Sequence, residues 1–233
     1  MGFLNIDSPM MQALSKVADL MILNLLALLC CIPIITIGPS LTALHYVSLK
    51  MARNEDCYIV RSFFKSFRLN FVQSTILGII MFFATMIVSL DLYILSSTSW
   101  SIQSVFQVLI LCVGFLIVFT SMFLYALQAR FSNSILKTLK NAFTVSILQF
   151  PKTILMILLF VIPLVIYYYV PIAILFAFFF GLSVPTFFSA KLYSKFFKKL
   201  EDQIREADKL TNRISSEETE EDVRIFKDES SET

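Results

Sequence analysis

Four stretches of this chain, residues 72–95, 102–127, 153–170 and 172–192, are apolar almost without interruption, with Asp91 as their only acid. Each is about 18–26 residues long, which suits a helix crossing a hydrocarbon core about 30 Å thick at about 1.5 Å per residue. Lipid offers no water to backbone amides, so spanning segments of this kind must close their own hydrogen bonds as helices. The fold class is therefore all-α, a polytopic transmembrane helical bundle. Composition agrees: 57% of residues are hydrophobic, 24 are Phe and only 15% are charged, against about 25% charged in an ordinary soluble domain. A soluble enzyme, a secreted disulfide scaffold and a disordered chain are all excluded.

Charge divides the chain. Residues 1–200 hold five acids (Asp7, Asp19, Glu55, Asp56, Asp91) against 14 bases, whereas residues 201–233 hold 12 acids against five bases. The reading is a membrane domain over 1–200 and an acidic cytoplasmic tail over 201–233. The tail's first residues extend the last helix, and 215–222, rich in Glu and Ser, are expected to be disordered. The bases cluster in three connections, 50–68, 130–152 and 191–199, while 33–38, 96–101 and 170–171 carry none. Basic loops stay on the cytoplasmic side. Helices at about 17–33, 39–52, 72–95, 102–127, 153–170 and 172–192 put every basic connection on one face. Six spans with both termini cytoplasmic is the expected topology. The alternative has five spans and differs only within residues 1–50. Helix 39–52 is short, either a tilted span or a re-entrant half-helix. Continued apolar segments and the lack of a basic N-terminal region argue against a cleaved signal peptide.

Two connections carry amphipathic patterns expected to lie as interfacial helices. In 59–71, Arg61, Lys65 and Arg68 share one helical face, and Val60, Phe63, Phe64, Phe67 and Phe71 fill the other side. Such a helix rests in the headgroup layer, rings down and bases toward phosphates, and it offers a surface to a lipid or a partner. Residues 131–150 repeat the pattern more weakly, with Lys137 and Lys140 opposite Ile135, Leu139 and Phe143. Phe176, Phe178, Phe187 and Phe188 suit lipid or a second subunit equally.

Polar groups within apolar runs are the candidate ligand or ion contacts, because lipid penalises them unless they face a partner or a cavity. They are Asn24, Thr36, Gly38, His45 (the only histidine) and Asp91. The run Pro33-Ile34-Ile35-Thr36-Ile37-Gly38-Pro39 breaks the first apolar region; Gly38 permits the bend, and Pro39 fits the first turn of a new helix. Broken helices in transporters expose backbone groups to solutes. No phosphate loop, nucleophile elbow or zinc-type Cys/His spacing is present, so no catalytic residue, metal ligand or cofactor is expected. The protein reads as a non-enzyme. The basic excess follows the membrane, not nucleic acid.

Asn24, the 33–39 break, Leu41-Thr42-Ala43-Leu44-His45-Tyr46, Arg53-Asn54-Glu55-Asp56 and Phe63-Phe64-Lys65-Ser66-Phe67-Arg68-Leu69-Asn70-Phe71 occur in that order. Over residues 20–75 the chain resembles the YesL family of bacterial integral membrane proteins, a family of unknown function. Asn24, Pro33, Thr36, Gly38, Pro39, Phe64, Phe67 and Asn70 match its pattern. The resemblance implies a multi-pass cell-membrane protein of unassigned activity, linked to carbohydrate uptake or sensing. The implied partners, besides the lipid bilayer, are ABC-transporter or sensor-kinase subunits. The rival expectation is an autonomous small-solute transporter or channel.

Overall fold

The computed structural model describes residues 9–97, 103–131 and 133–229, with side chains from Met10 to Arg213. Every regular element among these residues is helical. In chain order they are α1 (Pro9–Cys30), α2 (Ile37–Ala52), α3 (Ile59–Leu69), α4 (Phe71–Ser96), α5 (Gln103–Arg130), α6 (Ile135–Leu148), α7 (Phe150–Tyr169), α8 (Ile174–Phe180) and α9 (Ser183–Glu229). Short 3₁₀ turns, Ile34–Thr36 and Pro171–Ala173, precede α2 and α8. The bare connection expected at 96–101 falls largely on residues 98–102, outside the described residues.

Four helices, α1, α4, α5 and α7, are long and apolar enough to cross a membrane, and α8 with the start of α9 makes a fifth, bent candidate. The protein is a multi-pass membrane protein. Exposed Ile, Leu, Val and Phe side chains run along α4, α5 and α7, a surface that water would not tolerate on a monomer. Six spans were expected. The helix that falls short is α2, whose 16 residues cover only about 24 Å.

Despite its length, α2 is the centre of the bundle. It packs against α1, α3, α4 and α5, and Ser40, Thr42, His45 and Ser48 are all buried along it. Successive residues turn by about 100°, so these four polar groups point in several directions. A helix with polar groups around its circumference has no lipid-compatible face and must be surrounded by protein. The core accordingly gathers on it: Ala43, Leu44 and Val47 of α2 pack with Leu23 and Ala27 of α1 and with Phe63 of α3.

Two hydrogen bonds fix the direction of α1 against α2. The Ser40 hydroxyl donates to the Ala27 carbonyl at 2.9 Å at one end, and Lys16 Nζ donates to Asn54 Oδ1 at 2.8 Å at the other. The pair is an antiparallel hairpin, so the start of α1 lies beside the basic connection that follows α2. Pro39 sits in the first turn of α2, where its missing amide proton costs nothing. Asn54 closes α2 in the left-handed region with φ 53°. The Glu55 amide then donates to the Lys50 carbonyl at 3.0 Å, and the Asn54 amide to that of Met51 at 3.2 Å, the pairing that satisfies orphan carbonyls at a helix end.

The segment expected as one span at 172–192 is broken at Gly181 and Leu182 into α8 and α9. The chain divides into two compact units, residues 1–192 and 193–233, where a boundary at 200 was expected. Within the second unit the backbone is helical to Glu229. Glu and Lys are good helix formers, and the sequence sets Glu201 four residues before Arg205, the order that supports a helix.

Candidate functional site

The two interfacial helices form where the charge spacing placed them. In α3, Arg61, Lys65 and Arg68 are all exposed on one face, while Ile59, Phe63 and Ser66 are buried on the opposite one. Phe63 is fully enclosed, so α3 is seated on α1 and α2 and does not merely float on lipid. Val60 and Phe64 stay exposed on the flank between the two faces. The expected aromatic side is thus split, one part holding the helix to the protein and one part facing outward. In α6, Thr138, Ala142 and Val145 are buried against neighbouring helices, and Lys137 and Lys140 are exposed. The Thr153 hydroxyl donates to the Ser146 carbonyl at 2.8 Å and ties α6 to α7.

Lys65 also belongs to a polar cleft of about 330 Å³, whose wall includes Tyr46, Asn70, Gln73, Gln128 and Arg130. These residues come from α2, α3, the start of α4 and the end of α5. Buried Gln128 organises the wall. Its Nε2 donates to Gln73 Oε1 at 2.9 Å and faces Asn70 Oδ1 at 3.4 Å, and its Oε1 accepts from the Thr138 hydroxyl at 3.3 Å. Gln73 Nε2 donates to the Asn133 carbonyl, and Asn70 Nδ2 to the Ser66 carbonyl at 3.1 Å. Gln73 and Gln128 were not singled out from the sequence. Their signal was there: each is an amide within one turn of the end of an apolar run, facing the same basic side.

A second, mainly apolar cavity of about 530 Å³ lies among the turn before α2, α4 and α5, lined by Gly38, Thr75, Gly78, Ser121 and Tyr125 among apolar side chains. Gly38 is helical, with no unusual backbone angle, so it does not act as a hinge. It serves close approach instead. A Cβ there would lie 2.1 Å from the Ser74 carbonyl oxygen and 3.5 Å from the Gly78 Cα. Ser74 and Gly78 are four apart on α4, the small-residue spacing that lets membrane helices touch backbone to backbone. The Thr42 hydroxyl donates to the Gly38 carbonyl at 3.0 Å and lies 2.9 Å from the Ser74 hydroxyl.

The other candidate contacts are dispersed. Asn24 is completely buried and is consumed by the break between α8 and α9: its Nδ2 donates to the Phe178 carbonyl at 2.7 Å, and its Oδ1 accepts the backbone amides of Leu182 at 2.8 Å and Ser183 at 3.0 Å. It caps a helix from a distance of more than 150 residues. Thr36 is half-buried, and its hydroxyl donates to the Pro33 carbonyl within its own turn at 2.8 Å. His45 is buried in the body of α2, and Asp91 is exposed near the end of α4. Of these five, only Gly38 is among the described residues lining the apolar cavity. No three of His, Cys, Asp or Glu among the described residues are grouped to hold a metal ion.

In comparisons with known proteins, a family model described as "Protein of unknown function, DUF624" matches residues 20–92. That stretch runs from within α1 almost to the end of α4, and so contains α2, α3 and the Gly38–Ser74 contact. No curated protein and no solved structure matches the chain. Over 73 of its 233 residues, the chain is similar to a family without an assigned function.

Proposed function

We propose that this chain is a YesL-type protein of the bacterial cell membrane, with both termini cytoplasmic. It works as a non-enzymatic accessory to a carbohydrate uptake or sensing system. Its basic surface on α3 receives an ABC-transporter or sensor-kinase subunit. The observation that carries this reading is the row of Arg61, Lys65 and Arg68, exposed together on a helix whose other side is locked into the core by Phe63. Charges presented on a rigid support choose partners and steer encounter more than they add raw affinity. The positive-inside rule supplies the orientation, and the antiparallel α1–α2 hairpin, with Lys16 bonded to Asn54 in the basic connection after α2, supports it for the start of α1. The family resemblance supplies the link to carbohydrate. Recovery of a stoichiometric transporter or kinase subunit with the tagged protein from native membranes tests the reading.

A second reading, an autonomous small-solute transporter or channel, is favoured by the 530 Å³ cavity beside Gly38. It no longer rests on Asn24, whose amide is spent on backbone groups. Solute-dependent flux in liposomes holding the purified protein would support it, and its absence across a broad panel of solutes would count against it.

A further inference from the structure

We propose that the cavity beside Gly38 holds an uncharged lipid, an apolar chain ending in an ester or hydroxyl, taken up sideways from the bilayer. Its depth is set by a backbone contact: a Cβ on Gly78 would lie 3.3 Å from the Gly38 Cα. Gly78 stands about 10 Å along α4 from Phe71 and about 27 Å from Ser96, at about 1.5 Å per residue. With α4 crossing the membrane, the turn before α2 lies within the hydrocarbon, and the α1–α2 hairpin enters and leaves on the basic side. The side chains of the turn fit that depth. Ile32, Ile34 and Ile35 are 75%, 69% and 60% exposed, which suits acyl chains and not water. The amides of Cys31, Ile32 and Thr36 all donate to carbonyls nearby in the chain, as irregular backbone in lipid requires. Ile34, Ile35, Phe82 and Phe83 are exposed and also line the cavity, so its mouth faces lipid. Inside, polarity is graded. Thr75 and Tyr125 line it about 6 Å from Phe71 and about 8 Å from Arg130, near the basic ends of α4 and α5. Phe82, Phe83, Ile117 and Val118 line it about 16–20 Å in from those ends. A lipid chain has the same gradient. The Thr85 and Ser121 hydroxyls are spent on their own helices, on the Met81 carbonyl at 2.9 Å and the Val118 carbonyl at 2.7 Å. The Thr75 hydroxyl is buried and makes no hydrogen bond among the described residues. An ester or hydroxyl would pair it, whereas a plain hydrocarbon would leave it unpaired. No charged residue is among the described residues lining the cavity, so a carboxylate or phosphate would be buried without a partner. The volume, about 530 Å³, lies within the range of about 300–1,000 Å³ for small-molecule sites. The inference stands apart from the solute-transport reading, because it concerns what stays bound and its test measures no flux.

The test uses the full-length protein, delipidated in an uncharged detergent, with radiolabelled 1-monooleoylglycerol as the probe. Unlabelled oleate and 1-octadecene compete: both carry a long chain, but one ends in a charge and the other has no polar end. Saturable binding of the probe is expected, with each competitor at least about tenfold weaker than unlabelled probe. Thr75→Val is expected to weaken binding at least about fivefold, without lowering the thermal transition of the ligand-free protein. Adding Tyr125→Phe is expected to bring the loss to at least about tenfold. Thr85→Val, whose hydroxyl is already spent, is expected to cost less than about threefold. The route from lipid is tested in sealed vesicles with a membrane-impermeant maleimide, applied from either side. Ile35→Cys is expected to add no label above the wild-type level, whereas Ser97→Cys at the end of α4 adds label. Absence of saturable binding would overturn the proposal, as would octadecene competing as well as the probe, which would mean simple partition. So would full affinity in the Thr75→Val protein, or labelling of Ile35→Cys as complete as that of Ser97→Cys, which would put the mouth in water.

Discussion

Asn24 and Leu182 are 158 positions apart, yet Asn24 Oδ1 accepts the Leu182 backbone amide at 2.8 Å in the buried core. The same oxygen takes the Ser183 amide, and Nδ2 donates to the Phe178 carbonyl. A helix break inside a membrane protein frees backbone groups that lipid cannot satisfy, and here one carboxamide satisfies three of them. Asn24→Ala is therefore expected to lower stability by about 1–3 kcal/mol, the cost of leaving buried polar groups unpaired. The thermal transition in detergent measures it. An unchanged transition would show that water replaces the carboxamide at no cost.

Gly38 and Gly78 face each other across α2 and α4 but are not equivalent. A methyl group on Gly38 meets the Ser74 carbonyl at 2.1 Å, and backbone cannot swing aside. One on Gly78 comes no closer than 3.3 Å to the Gly38 Cα. Gly38→Ala is expected to destabilise by about 3 kcal/mol or more, and Gly78→Ala by about 1 kcal/mol. Detergent thermal shifts of the two single variants check the order, and equal effects would contradict the contact.

Thr75 lines the apolar cavity with its hydroxyl buried and without a hydrogen-bond partner among the described residues. Thr75→Val keeps the shape and removes the unsatisfied group. The expected change is between zero and a gain of about 1 kcal/mol. Thr42→Val, by contrast, removes a hydroxyl bonded to Gly38 and beside Ser74 and is expected to cost about 1 kcal/mol. A loss at Thr75 as large as that at Thr42 would mean that the Thr75 hydroxyl has a partner after all.

Much of this arrangement was legible because it depends on local spacing. Arg61, Lys65 and Arg68, spaced four and three apart, had to share a face of α3, and the Pro33 to Pro39 run had to interrupt the first apolar region. The long apolar runs became α4, α5 and α7 nearly residue for residue. What escaped depends on partners distant in sequence. Nothing near Gly181 announces the α8–α9 break, because the group that satisfies it is Asn24. Gly38 resembled a hinge because its bend residues were visible and Ser74 was not. The central place of α2 was written in Ser40, Thr42, His45 and Ser48, but their length of helix suggested only a short span. The cleft needed Lys65, Gln73 and Gln128 from three helices, and no single window of sequence contains them.

The account's central claim is that the basic face of α3 holds a partner. The most direct measurement compares the tagged wild type with Arg61→Glu and Arg68→Glu together, solubilised from native membranes in mild detergent, with co-purifying proteins quantified. Both arginines are exposed, so the variant is expected to insert and fold normally. The account predicts a stoichiometric transporter or kinase subunit with the wild type, reduced at least about tenfold in the variant. A wild-type protein that emerges alone, or a subunit retained in full by the inserted variant, would contradict it.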